Sequence, residues 1–265
     1  MVPERTSERE LWFDFWGAVT HVVVPTENDE RHLAYYFQDY VTKPADRSDV
    51  RVDLSTLNAG DDYMTAAADR RSVRLTTPDG HAEYLCGDET VYAPTPLPPF
   101  TVEPLSGTVT TVHAAAATPP HQLNSAALIH GPSTSGKSSL LIALMRRGWG
   151  FLSDDTVPID AAGRALPFTR PIGIRQRTAE RLGISIAEHA DAPRYATSLG
   201  TTLSIHPAEL GWQIAQRAAV RWVVTLQPSG SFNAGTAANG NLRIELDIEQ
   251  HETEAIRAIE EFCRG

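Results

Sequence analysis

The stretch Leu128-Ile129-His130-Gly131-Pro132-Ser133-Thr134-Ser135-Gly136-Lys137-Ser138-Ser139 carries the strongest chemical signal in the chain. It reads G-x-x-x-x-G-K-[ST], behind an apolar run and ahead of an apolar-rich helical stretch. Glycines at this spacing let the backbone fold tightly, so that its N–H groups point at phosphate oxygens. The lysine then reaches the β- and γ-phosphates as a cation, and the next hydroxyl takes one position on Mg²⁺. The context predicts a short strand, Ala126 to Ile129, then a helix from about Lys137 to Arg147 that ends at Gly148. The start of that helix adds positive dipole at the phosphates. The plainer reading is a Gly-Ser loop that merely starts a helix.

A second group follows. Trp149-Gly150-Phe151-Leu152 reads as a short apolar strand, and Ser153-Asp154-Asp155-Thr156-Val157 comes after it. Adjacent carboxylates repel unless something offsets their charge, and a cation beside Ser138 would do so. Within a strand the two side chains would point to opposite faces. At its end, where pairing loosens, both can turn toward one cavity. One then serves a metal and the other a substrate hydroxyl. Taken alone, Asp-Asp also reads as a turn or a helix N-cap.

These residues, with Arg147-Gly148 before the strand and Val112-His113-Ala114-Ala115-Ala116 upstream of the loop, resemble the HPr kinase/phosphorylase superfamily. The similarity is closer to its HPr-kinase-related branch, and it is specific from about Val112 to Val157. The resemblance implies a P-loop kinase using ATP and Mg²⁺. Residues Gly131, Pro132, Ser133, Thr134, Ser135, Gly136, Lys137, Ser138 and Ser139 would bind the nucleotide. Ser138 and Asp154 would hold the metal, and Asp155 would be the general base for an attacking hydroxyl. His113, on a strand upstream of the loop, would sit beside the phosphates or the acidic pair and tune them. Catalysis would rest on Asp155, His113 and Lys137. From the residues alone, His113 also reads as a core or surface histidine, and His121 and His130 flank the loop as well. Two departures bear on substrate. Ser139 stands where the bifunctional HPr kinases carry an acidic residue, and Pro228 to Asn241 contains no Lys or Arg. Both argue against HPr as substrate and against reverse phosphorolysis, and leave phosphoryl transfer itself untouched. The 228–241 stretch reads either as a lid or as a plain hairpin connection.

The elements that must position these groups divide near residue 100. Residues 1–100 read as a small α+β lobe, suited to substrate recognition or an interface, and residues 101–265 as the kinase domain. The expected fold is an α/β mixed sheet with the P-loop at one end. In the first part, Trp12 to Pro25 and Val50 to Leu54 favour strand. Glu30 to Tyr40 reads as a helix with Leu33, Tyr36 and Phe37 on one face. Arg71 to Thr76, Ala82 to Cys86 and Thr90 to Ala93 look like a meander with a turn at Pro78 to His81, before Pro94, Pro96, Pro98 and Pro99 break the chain. Trp12, Phe13, Phe15 and Trp16 read as core or interface. In the second part, Val157 to Asp160 and Ala165 to Phe168 bracket a hairpin, and Val220 to Leu226 reads as a buried central strand. Leu242 to Ile248 alternates as a half-buried strand, and His251 to Cys263 closes as a helix.

Arginines form a second tier of candidates, since their forked donors suit phosphate. Arg170, Arg175, Arg177 and Arg181 follow the hairpin. Arg177 and Arg181, one helical turn apart, read as a solvated helix face, and Arg194 is the better candidate for phosphates or a peptide carboxylate.

The chain has 265 residues and a net charge of −10. That charge argues against an extended nucleic-acid surface. Cys86 and Cys263 show no metal spacing, and no signal peptide or membrane span is visible, so a cytoplasmic protein with free thiols is expected. Two functions fit. One is a kinase acting on a Ser or Thr of a protein or peptide, or on a small-molecule hydroxyl. The other is a nucleotide-binding regulatory NTPase, for which the second aspartate has no evident use. Oligomeric state is left open.

Overall fold

In the computed structural model, which describes residues 9–24, 27–53, 72–77, 80–85, 109–185, 187–189, 194–197 and 200–265, the chain divides into two units. One comprises residues 1–107 with 195–201, the other 108–194 with 202–265.

The first unit starts as a hairpin of β1 (Arg9–Phe15) and β2 (Ala18–Val24), and its turn falls inside the stretch from Trp12 to Pro25 that favours strand. The turn is Trp16-Gly17, with φ of 57° and 96°. Such a turn usually announces itself with Asn or Asp before glycine, and a tryptophan hides it. The Asp14 carboxylate accepts a hydrogen bond from Gly17 N at 2.6 Å and secures it. Helix α1 (Glu27–Tyr36) and a 3₁₀ turn at Gln38–Tyr40 carry Leu33, Tyr36 and Phe37 into the core, as their spacing predicts. There Phe37 meets Phe13 and Phe15 edge-on, at 5.5 and 5.4 Å. Strands β3 (Val50–Asp53), β4 (Ser72–Thr77) and β5 (Gly80–Leu85) extend the sheet in the order β1-β2-β3-β4-β5. The expected strand at Thr90 to Ala93, Cys86, the proline cluster and the boundary near 100 lie outside the described residues.

The second unit is a mixed α/β structure. Its elements are β6 (Val109–Val112), β7 (Ala114–Thr118), β8 (Ser125–His130), α2 (Lys137–Met145), β9 (Gly150–Ser153), β10 (Val157–Asp160), β11 (Arg164–Ala165), β12 (Ile172–Arg175) and α3 (Gln176–Arg181). There follow β13 (Arg194–Thr197) and β14 (Gly200–Ile205), whose residues 195–201 belong to the first unit, then β15 (Ala218–Pro228), β16 (Asn233–Thr236), β17 (Leu242–Leu246) and α4 (Ile248–Arg264). The main sheet runs β6-β10-β11-β15-β8-β7-β9, with β17 on β15 and β16 on β17. β15 is parallel to β8 and to β17, while β7, β9 and β11 pair antiparallel with their neighbours. Within the 228–241 stretch β16 pairs with β17 across Asn233 to Thr236, so part of it is a strand hairpin.

Packing explains the composition around the loop. All five residues of β7 are buried, four of them alanines, so α2 approaches its backbone closely. Leu140 to Met145 are all buried, because α2 lies between that sheet and α4. Each such leucine is worth about 1.5–3 kcal/mol of burial. α4 presents Ala255, Ile256, Ile259 and Cys263 inward at helical spacing. It begins at Ile248 rather than His251, where a kink interrupts it, and Asp247 caps it by accepting from Glu249 N at 2.9 Å.

Candidate active site

The loop between β8 and α2 is held by close backbone approach. A Cβ on Gly131 would lie 2.7 Å from the Leu226 carbonyl oxygen of β15, so no side chain fits there. Gly136 has φ +97°, and a Cβ on it would come within 2.8 Å of Ile248 at the start of α4. Thr134 adopts φ 66° without being glycine, a conformation that costs about 1–3 kcal/mol and persists only where surroundings enforce it. Ser135 is buried, and its hydroxyl has no hydrogen-bond partner among the described residues. Orphaned groups of this kind fit a loop shaped for a ligand.

A phosphate-loop lysine without ligand is expected to be exposed. Lys137 instead is 7% exposed, and its Nζ donates to the carbonyl oxygens of Gly131 and Pro132 at 3.0 and 3.1 Å. The ammonium thus satisfies itself on carbonyls of its own loop. Burial lowers its pKa below the usual lysine value, with Asp155 and Asp154 partly offsetting the effect.

The aspartates follow β9, and the backbone sends them different ways. Asp155 has φ 64°, a left-handed conformation that aspartate tolerates better than most residues. Asp154 is 7% exposed, and both its carboxylate oxygens accept from the Ser138 hydroxyl, at 3.0 and 2.9 Å. Burial, then repulsion from Asp155, raises its pKa to about 6 against the pull of Ser138, Arg170 and Lys137. Asp155 is half exposed. Arg170 Nη2 donates to its Oδ2 at 3.0 Å, and His113 Nε2 lies 3.5 Å from its Oδ1. Burial works against its ionised form, but Arg170 and then His113 outweigh it and hold the carboxyl below its ordinary value.

His113 sits in the bend between β6 and β7, not on a strand as expected. That bend is what turns its ring toward Asp155. His121 is exposed in the turn before β8, at the opposite end of that strand from the loop. His130 Nε2 lies 2.8 Å from Thr225 Oγ1. Its pKa is lowered by burial and by Lys137, which favours the neutral imidazole.

Arg170 is 6% exposed and stands 5.7 Å over the Phe168 ring. Besides Asp155, it donates to the Asp154 carbonyl at 3.2 Å and to Thr156 Oγ1 at 3.3 Å. It thus pins the whole Asp154-Asp155-Thr156 turn. Arg177 and Arg181 pair with Glu249 and Glu252 of α4. Arg194 belongs to β13, and its side chain lies outside the description.

Among the described residues, no group of three His, Cys, Asp or Glu side chains is placed to hold a metal. The Ser138 hydroxyl and Asp154 carboxylate form a two-residue set of hard oxygens instead. That set suits Mg²⁺, which is bound by one or two carboxylates and completes its shell with water and substrate phosphate.

No family model matches the chain, and no curated protein matches it. Among solved structures it is similar to the HPr(Ser) kinase/phosphatase from Coxiella burnetii. Identity is 16%, over 57% of this chain and 95% of that one, with a TM-score of 0.32. No helix among the described residues is long and apolar enough to cross a membrane.

Arg170 is the residue that sequence reasoning undervalued. It lies two residues after Phe168, whose backbone bridges Ser153 beside the aspartates, a pairing that no local pattern announces. A two-residue strand with an isolated bridge leaves no periodicity to read, so the return of the chain to the aspartates was hidden.

Proposed function

We propose that this chain is an ATP- and Mg²⁺-dependent phosphotransferase that moves the γ-phosphoryl group to a hydroxyl, on a Ser or Thr side chain or a small molecule. The observation that carries this reading is the division of labour between neighbouring carboxylates. Asp154 is turned inward onto Ser138, and Asp155 outward to Arg170 and His113. A nucleotide-driven switch has no need of the second carboxylate.

The loop backbone from Gly131 to Ser139 receives the phosphates. Lys137 leaves its two carbonyls for the β- and γ-phosphate oxygens. Ser138 and Asp154 would hold Mg²⁺, which would neutralise phosphate charge. Asp155, kept ionised by Arg170, accepts the proton of the acceptor hydroxyl. The acceptor oxygen bonds to the γ-phosphorus as the bond from that phosphorus to the β–γ bridging oxygen breaks, and ADP leaves with the electron pair. His113 orients Asp155 from its solvent side.

The test is single-turnover transfer from γ-labelled ATP, run beside a nucleotide-affinity titration. Label on a hydroxyl acceptor, dependent on Mg²⁺ and on Asp155, supports the reading. Free phosphate alone favours an NTPase, and absence of nucleotide binding ends both.

A further inference from the structure

A cavity of about 540 Å³ opens beside the loop, lined by His113, His130, Thr225, Leu226 and Gln227 with residues 131–133. Register brings these together. Pairing of β7 with β8 sets Ala114 opposite His130, and pairing of β8 with β15 sets His130 opposite Thr225. Side chains alternate along β15, so Thr225 and Gln227 share a face. The volume falls in the range of small-ligand sites.

Three properties of this cavity define an occupant. The first is position: His113 belongs both to the lining and to the Asp155 pair, so a molecule here lies next to the base. The second is charge: the lining contains no Lys, Arg, Asp or Glu. The nearby charges on the same face of β17, Arg243 and Glu245, pair with each other at 2.8 Å, and Arg243 also donates to Gln227 Oε1 at 2.5 Å. Asp155 already has its cations. The third is hydrogen bonding: an imidazole, a hydroxyl and an amide offer donors and acceptors with no net charge.

We propose that this cavity binds the phosphoryl acceptor, and that the acceptor is electrically neutral around its reactive hydroxyl. The inference rests on the kinase reading above. A charged group placed here loses water, and none of the lining residues is a Lys, Arg, Asp or Glu that would offset its charge. A neutral hydroxyl compound exchanges water for His130, Thr225 and Gln227 at little cost. The same chemistry is supplied by a Ser or Thr with uncharged neighbours or by a polyol.

The experiment offers matched hydroxyl probes to the full chain with Mg²⁺ and γ-labelled ATP. One set is N-acetylserinamide, N-acetylserine and serinamide; the other is glycerol, glycerate and serinol. In each set the members are neutral, anionic and cationic in turn. The expected result is at least about tenfold more label on the neutral member, a discrimination worth one factor of ten in affinity. The set that takes more label identifies the source as peptide-like or polyol-like. Gln227→Lys, at an exposed position, should move the preference toward the anionic member, and Thr225→Asp toward the cationic one. Charged members labelled as well as neutral ones overturn the proposal. So does a preference that neither substitution moves, and so does release of free phosphate with no probe labelled. A chain that neither binds nor hydrolyses ATP fails at the earlier step, and sinks the kinase reading itself.

Discussion

The two sides of the candidate site are built differently. On the α2 side, Lys137, Ser138 and Asp154 are buried or half-buried and hydrogen-bonded to one another's surroundings at about 3 Å. On the opposite side, His113 and Asp155 are more than or about half exposed, at 59% and 50%. The closed side has a fixed geometry that suits a donor whose shape never changes, a triphosphate with its metal. The exposed side borders a cavity and suits an acceptor that must enter and leave. On the kinase reading the carboxylates divide accordingly: burial disfavours the charge of Asp154, which a bound cation would offset, while Asp155 is open to an entering hydroxyl.

The largest effect should come from breaking the exposed side at its centre. Asp155→Asn is expected to lower transfer by about 10²–10⁴, the usual worth of a positioned base, with the lower end favoured by a loose transition state. Nucleotide affinity should stay near that of the parent. If affinity falls as far as in Asp154→Asn, the two carboxylates share the metal and the comparison collapses.

Lys137→Ala breaks the closed side. Loss of one preorganised donor to the transferring group typically costs about 10²–10³ in rate. Because Lys137 also satisfies two loop carbonyls, the unliganded variant should lose about 1–3 kcal/mol of stability as well. Thermal unfolding without nucleotide reads the second effect. Full transfer in this variant would remove the phosphate-loop reading.

Asp154→Asn tests the same side by pH. The folded state holds Asp154's proton up to about pH 6, where an ordinary aspartate has lost it near 3.8. Between those values the native state binds more protons than the unfolded chain. Stability without metal should therefore fall as pH rises through that window, by at most about 1.4 kcal/mol per pH unit. In Asp154→Asn this component is absent, and the Mg²⁺ requirement for transfer rises. Equal pH profiles and equal Mg²⁺ dependence in variant and parent would reassign Asp154 to structure.

How much of this was legible depended on whether local sequence sufficed. β8, α2 and β9 were readable because apolar runs, helix formers and Gly148 mark them out. The hairpin at Trp16-Gly17 was not, because tryptophan in a left-handed turn contradicts turn propensity. The nearness of Ser138 to Asp154 followed from the strand–loop–helix–strand order. The roles of Arg170 and Gln227 did not, since each reaches the site through pairing between segments distant in sequence, Phe168 to Ser153 and β15 to β8. The burial of Lys137 is not legible in the sequence, because its partners are backbone carbonyls of its own loop.

The smallest expected effect sharpens the contrast from outside the site. Arg177 lies on α3 and pairs with Glu249, at 81% and 47% exposure. Arg170 is one of the most buried charges described, at 6%, and touches the backbone and side chains of the aspartate turn. Sequence alone placed both in one tier of phosphate candidates. An exposed pair gains little in high dielectric and spends side-chain entropy, so Arg177→Gln should change stability by about 0.5 kcal/mol or less. Transfer should be unaltered at saturating ATP and also at limiting ATP, where a contact to phosphate would show. The decisive measurement is therefore the rate at limiting ATP. A tenfold loss there would place Arg177 on the nucleotide after all, and its pairing with Glu249 would then be a resting arrangement that ATP displaces.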